Sequence, residues 1–175
     1  KNVLNWKTDV PANALFTVDA PKAKSLVGFL GGRTTRLDGF QVTMAQTTRS
    51  FATVMLNTKD NRPLQTSSSL LLTALNNVEN QNMGWNADRT SVSTNWGNGP
   101  LMAEGVPATI SLRTQATKAT VYALDVRGAR SAVVPSQLQN GTLNFVIGAQ
   151  YKALWYEIAA TVPARAQNRI AQLKR

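Results

Sequence analysis

Short apolar segments, strand-sized and closed by Gly, Pro, Asn or Asp, recur through most of this chain, and nothing between them keeps a helical period. LFTVDA (15–20) alternates, and SLVGFLGG (25–32) is an apolar run closed by two glycines, with PKAK as the turn between them. In GFQVTMA, Phe40, Val42 and Met44 fall on one face at period two. FATVMLN (51–57) follows, then the turn cluster KDNRP, then SLLLTALNN (69–77), continuous enough to read as a central strand buried on both faces. VPATISL (106–112), ATVYALD (119–125), SAVVP, TLNFVIG (142–148) and ALWYEIAAT (153–161) continue the pattern. ATVYALD also reads as buried on both sides. Arg127-Gly128 and Asn140-Gly141 mark hairpin turns. Roughly ten short strands with turns at regular spacing predict an all-β fold, an antiparallel two-sheet β-sandwich of jelly-roll type. A sheet with one apolar face needs a second layer to bury it.

The domain is expected over 15–162. Residues 1–14 read as an extended lead-in with Trp6 as its anchor. Residues 163–175 read as a short helix or basic tail, with Pro163 near its first turn and a cationic end. The length fits one domain able to bury a substantial core. No apolar run is long enough to span a membrane, so no membrane partner is expected, and the start carries no apolar signal core.

One stretch breaks the rhythm. Residues 76–101, NNVENQNMGWNADRTSVSTNWGNGPL, form a long connection without a core pattern of its own, a kind that is usually functional or disordered. It carries Trp85 and Trp96, and aromatics argue against disorder. It is expected to be an ordered, indole-bearing loop on a rigid scaffold.

The residues available limit the chemistry. With no cysteine and no histidine, disulfides, thiolate nucleophiles and the commonest general base and metal ligand are excluded, and no cofactor is expected. A glycosidase needs two carboxylates about 5 to 9.5 Å apart. Among the nine acids, only Glu79, Asp88 and Glu104 bracket the loop closely enough to share a cleft. Asp88 is equally suited to a turn bond or an ion pair with Arg89. Gly28, Gly31 and Gly32 suit a strand bend rather than a phosphate loop, since no Lys-Ser/Thr pair follows.

From 16 to 158 several phrases carry a resemblance: SLVGFLGG, SLLLTALNNVENQNMGWN, WGNGPLMAEGVPATISL, VYALDVRGAR and FVIGAQYKALWYEI. Together they resemble the C-terminal β-sandwich domain appended to certain bacterial glycoside hydrolases. The resemblance implies a non-catalytic accessory module, a secreted or cell-surface origin, a carbohydrate context and a neighbouring catalytic domain.

Three functional classes follow. A polysaccharide or oligosaccharide offers flat C–H faces rimmed by hydroxyls, which an indole platform with planar amides or Arg forks can hold. Trp85 and Trp96 with Asn82, Asn86, Asp88 and Arg89 supply those types, and Asn95 and Asn98 lie among them. The alternative for the indoles is to plug one end of the sandwich. Trp155, alternating with Tyr156, is expected in the core. A net charge of +10 suits an acidic polysaccharide or nucleic acid, but the loop holds a single basic residue, Arg89, so nucleic acid is not the expected partner. The third class is a structural domain packing on a catalytic one, whose mark would be an exposed apolar patch on one sheet.

Overall fold

A computed structural model describes residues 3–47 and 49–164; the expected helix or tail at 163–175 lies almost entirely outside them. The fold is all-β. The described residues form fifteen strands, numbered along the chain, in three antiparallel sheets. The largest runs β1 (Leu4–Lys7), β2 (Leu15–Asp19), β3 (Ala23–Phe29), β6 (Phe51–Thr58), β7 (Ser69–Leu75), β15 (Trp155–Thr161), β11 (Lys118–Leu124) and β12 (Arg130–Val134). A five-stranded sheet runs β13 (Ser136–Gln139), β14 (Thr142–Ile147), β10 (Ala108–Arg113), β5 (Phe40–Met44) and β4 (Thr34–Leu37). Strands β8 (Val78–Gln81) and β9 (Asn98–Ala103) pair only with each other. No helix among the described residues is long and apolar enough to cross a membrane.

Alternation places the core. In β3, β6 and β7 every second residue is buried, which gives Leu26, Val54, Leu56, Leu70 and Leu72 from the large sheet. Phe40, Val42, Ile110, Leu112 and Phe145 come from the five-stranded sheet, and both sets join in one apolar cluster. The two large sheets are therefore held by burial of their facing sides, the dominant favourable term in folding.

Five strands escape the sequence reading: β1, β4, β8, β9 and β13. All are short or polar, so a hydrophobic period cannot reveal them. The lead-in supplies β1, with Trp6 opposite Phe16 and their rings edge to face at 6.4 Å. Three burial expectations are corrected. Strand β7 is buried on one face only: Leu70, Leu72 and Ala74 are enclosed, while Leu71 and Leu75 are half-buried on the outer side. Strand β11 likewise turns Thr120 and Tyr122 outward. Trp155 is not in the core; the register sets Tyr156 opposite Leu72, so Tyr156 points inward and Trp155 outward. All three have one cause. An antiparallel sheet can be covered on one side only, and apolar residues on its other side then look, in sequence, like a second buried face.

That outer side is mostly apolar across six neighbouring strands, with Ser25, Thr53 and Thr73 interspersed on β3, β6 and β7. One row across the strands reads Leu4, Val18, Ser25, Met55, Thr73 and Trp155, and the next reads Trp6, Phe16, Val27, Thr53 and Leu75. Phe29 and Phe51 extend it, with ring centroids 5.5 Å apart. The face ends at a charged border on the β15–β11–β12 side. There Glu157 accepts from Arg130 Nε at 2.7 Å and Lys59 Nζ at 3.2 Å, and Arg130 lies over the Tyr122 ring at 4.0 Å. Arg130, against burial, holds the Glu157 carboxyl below its usual value, and Lys59 adds to this.

The turns behave as their residues dictate. Asn140 and Gly141 both adopt positive φ, which a two-residue hairpin between β13 and β14 requires. Asp125 Oδ1 accepts from the Arg127 and Ala129 backbone amides around Gly128.

Candidate functional site

Residues 76–101 are less irregular than their sequence suggests, because β8 and β9 make them an antiparallel ribbon that carries the loop 82–97 at its end. The ribbon leaves the domain from the end of β7 and returns before β10. All six residues of β9 are exposed, and Leu101 and Met102 present apolar side chains to solvent. Positive φ at Asn82, Arg89, Ser93 and Gly97 folds the loop tightly. A Cβ on Gly97 would overlap the Gln81 carbonyl oxygen, so the close approach of the loop's two ends needs glycine there. Val92, nearly fully buried, anchors the loop.

Glu79 is the hub. Its carboxylate accepts from Trp85 Nε1 at 2.9 Å, from Arg89 Nη2 at 2.6 Å and from Arg49 Nη2 at 3.2 Å. Arg49 Nη1 also lies 3.5 Å from Glu104 Oε2, so one guanidinium bridges two carboxylates. The Arg89 guanidinium sits 4.8 Å over the Trp85 ring, a cation–π contact that covers one indole face. Desolvation pushes the Glu79 carboxyl up, but Arg49, Trp85 and Asn77 outweigh it and hold it below its usual value. A general acid of the glycosidase kind needs the opposite shift. This carboxylate is arranged to stay ionised and to organise the loop.

The structure separates the expected site residues into three kinds. Trp85 and Arg89 come together, half-buried and exposed respectively, but each is committed to Glu79. Asn86 closes a turn: its Oδ1 accepts from the Thr90 and Ser91 amides, and its Nδ2 donates to Thr90 Oγ1. Asn82 Nδ2 donates to Asn98 Oδ1 at 3.4 Å, across the ribbon end. Trp96, by contrast, is 64% exposed, and among the described residues only its backbone carbonyl is engaged, accepting from Asn80 Nδ2. Asp88 is exposed at the loop tip.

Arg49 was not legible as a site residue. It lies just before β6, far along the chain from Glu79 and Glu104, and no local pattern announces the contact. With Asn77 it lines two neighbouring clefts. One, of about 350 Å³, is bounded by Glu79, Met102 and Glu104; the other, of about 490 Å³, by Phe29, Phe51 and Asn76. Among the described residues no three His, Cys, Asp or Glu side chains gather as a metal site would require. No protein-family model, curated protein or solved structure matches this chain.

Proposed function

We propose that this domain is a non-catalytic supporting module of a secreted or cell-surface polysaccharide-degrading enzyme, packing on a neighbouring catalytic domain through the outer face of its eight-stranded sheet. In this reading the two large sheets make a sandwich of jelly-roll type. The observation that carries it is the apolar outer face, where Trp6, Phe16, Val27, Phe29, Phe51 and Met55 stand where a solvated sheet would carry polar residues. Contiguous apolar patches of this kind mark contact surfaces. The likeness of the chain's phrases to glycoside-hydrolase accessory domains supplies the kind of partner. Mixed with the catalytic domain of such an enzyme, the wild-type domain is expected to co-elute with it on gel filtration. Trp6→Asp combined with Phe51→Asp should abolish co-elution while leaving the isolated domain folded. Failure of the wild type to co-elute, or co-elution unaffected by the two charges, rejects the reading.

Carbohydrate binding by the loop is a second reading, and the exposed Trp96 indole favours it. Because Trp85 and Arg89 are spoken for by Glu79, the platform reduces to Trp96 with the amides of Asn95 and Asn98 beside it. Trp96→Ala should then remove retention on an insoluble-polysaccharide panel without lowering Tm. Equal retention of wild type and variant removes Trp96 from any sugar site.

A further inference from the structure

The five-stranded sheet also has an outer face, and its character is the reverse of the first. Register aligns one outward residue from each strand into a single row: Gln137, Asn144, Ser111, Gln41 and Arg36. With strands about 4.8 Å apart, such a row runs about 19 Å. Within it Ser111 Oγ and Asn144 Oδ1 are hydrogen-bonded at 2.6 Å, which fixes the amide's orientation. The adjoining row brings Gln139 and Thr142 beside Arg113. Arg113 N donates to the Gly39 carbonyl at 2.8 Å, so the β4–β5 turn and the end of β10 are tied together. Between Arg36 and Arg113 lies a cavity of about 200 Å³, walled also by Gly39, Gln41, Ser111 and Thr142.

Two arginines of this face form no ion pair with a carboxylate among the described residues, and the acid of the β4–β5 turn is Asp38. Lys24, Arg49, Lys59, Arg89 and Arg130 each pair with a carboxylate, whereas Arg36 and Arg113 have no acidic partner among the described residues. None of the five strands contains an Asp or Glu. The outward positions also hold no aromatic residue, because Phe40 and Phe145 point into the core.

We propose that this face binds an acidic saccharide, its carboxylate or sulfate held between Arg36 and Arg113 and its hydroxyls read by the row of Gln41, Ser111, Asn144 and Gln137. A guanidinium fork matches a carboxylate or sulfate in two parallel hydrogen bonds. Amide and hydroxyl side chains supply both donors and acceptors, which is what a sugar hydroxyl asks for. Single-stranded nucleic acid stacks its bases on aromatic side chains, and this face offers none. The inference does not depend on the docking role of the opposite sheet, since the two faces share no residue.

The test is titration calorimetry of the whole domain with oligogalacturonate, dextran sulfate, neutral dextran and oligo-dT at low salt. Oligogalacturonate or dextran sulfate should bind, neutral dextran should not, and Arg36→Ala with Arg113→Ala should weaken binding at least tenfold. Because both side chains face solvent, the double variant should keep the wild-type Tm. Lys118→Ala with Arg127→Ala removes the same charge from elsewhere on the surface and should change affinity less than twofold. The proposal is overturned if neither acidic probe binds, if neutral dextran binds as well, if oligo-dT binds more tightly than both acidic saccharides, or if the two double variants weaken binding equally.

Discussion

A single methyl group at Gly28 is expected to destabilise the domain by about 3 kcal/mol and to lower Tm by about 6–12 °C. Gly28 lies in β3 with φ +153°, a backbone region that side-chain-bearing residues rarely enter. A Cβ built there would overlap the Ala14 carbonyl oxygen and stand 2.9 Å from Leu15 Cα. That same oxygen accepts from Phe29 N at 3.1 Å, so the methyl would strike the bond that holds the start of β2 against β3. Strain in this region costs about 1–3 kcal/mol, and overpacking a close contact costs about the same again. Thermal and denaturant unfolding of Gly28→Ala check the expectation; a loss below about 1 kcal/mol would show that the two strands can separate freely there.

Leu72→Ala should cost about as much for the opposite reason. Leu72 is wholly buried at the middle of the large sheet, between Leu56 on β6 and Tyr156 on β15. Truncation removes apolar contacts and leaves a cavity among neighbours held by their strands, at about 2–5 kcal/mol. Leu71→Ala, one residue away on the outer face, should cost less than half of that in the isolated domain. The pair of measurements reads the facing of the strand directly. Equal losses at the two positions would mean that the outer face is covered, and would contradict the apolar surface on which the docking role rests.

The difference between Leu71 and Leu72 also marks where sequence reading ends. The run SLLLTALNN announces a strand, because nothing in it keeps a helical period. Its apolar residues on both parities then suggest burial on both sides, and composition alone does not separate a second core from a contact surface. Trp155 and Tyr156 pose the same problem, which the register to Leu72 resolves. In the loop the indoles and amides are legible as chemical types, but their partners are not. Glu79 gathers Arg49 from before β6 and Arg89 from ten positions on, and only the fold brings them together. The row on the five-stranded sheet is hidden more deeply. Gln137, Asn144, Ser111, Gln41 and Arg36 are scattered polar residues in sequence and become neighbours only through strand pairing.

Strand β15 has a consequence for the order of events as the chain is made. In the large sheet it sits between β7 and β11, although it is the last described strand to leave the ribosome. Strands β1, β2, β3, β6 and β7 can pair in succession, and β11 with β12 can close as a hairpin, but these two groups remain unconnected until Tyr156 and Ile158 arrive. Pairings of such long sequence separation form slowly, on the millisecond-to-second scale. Until then Leu72 and Val121 face a gap, and a nascent chain in that condition is a substrate for chaperones and for aggregation. Without β15 the large sheet would be left in two pieces, β1–β2–β3–β6–β7 and β11–β12.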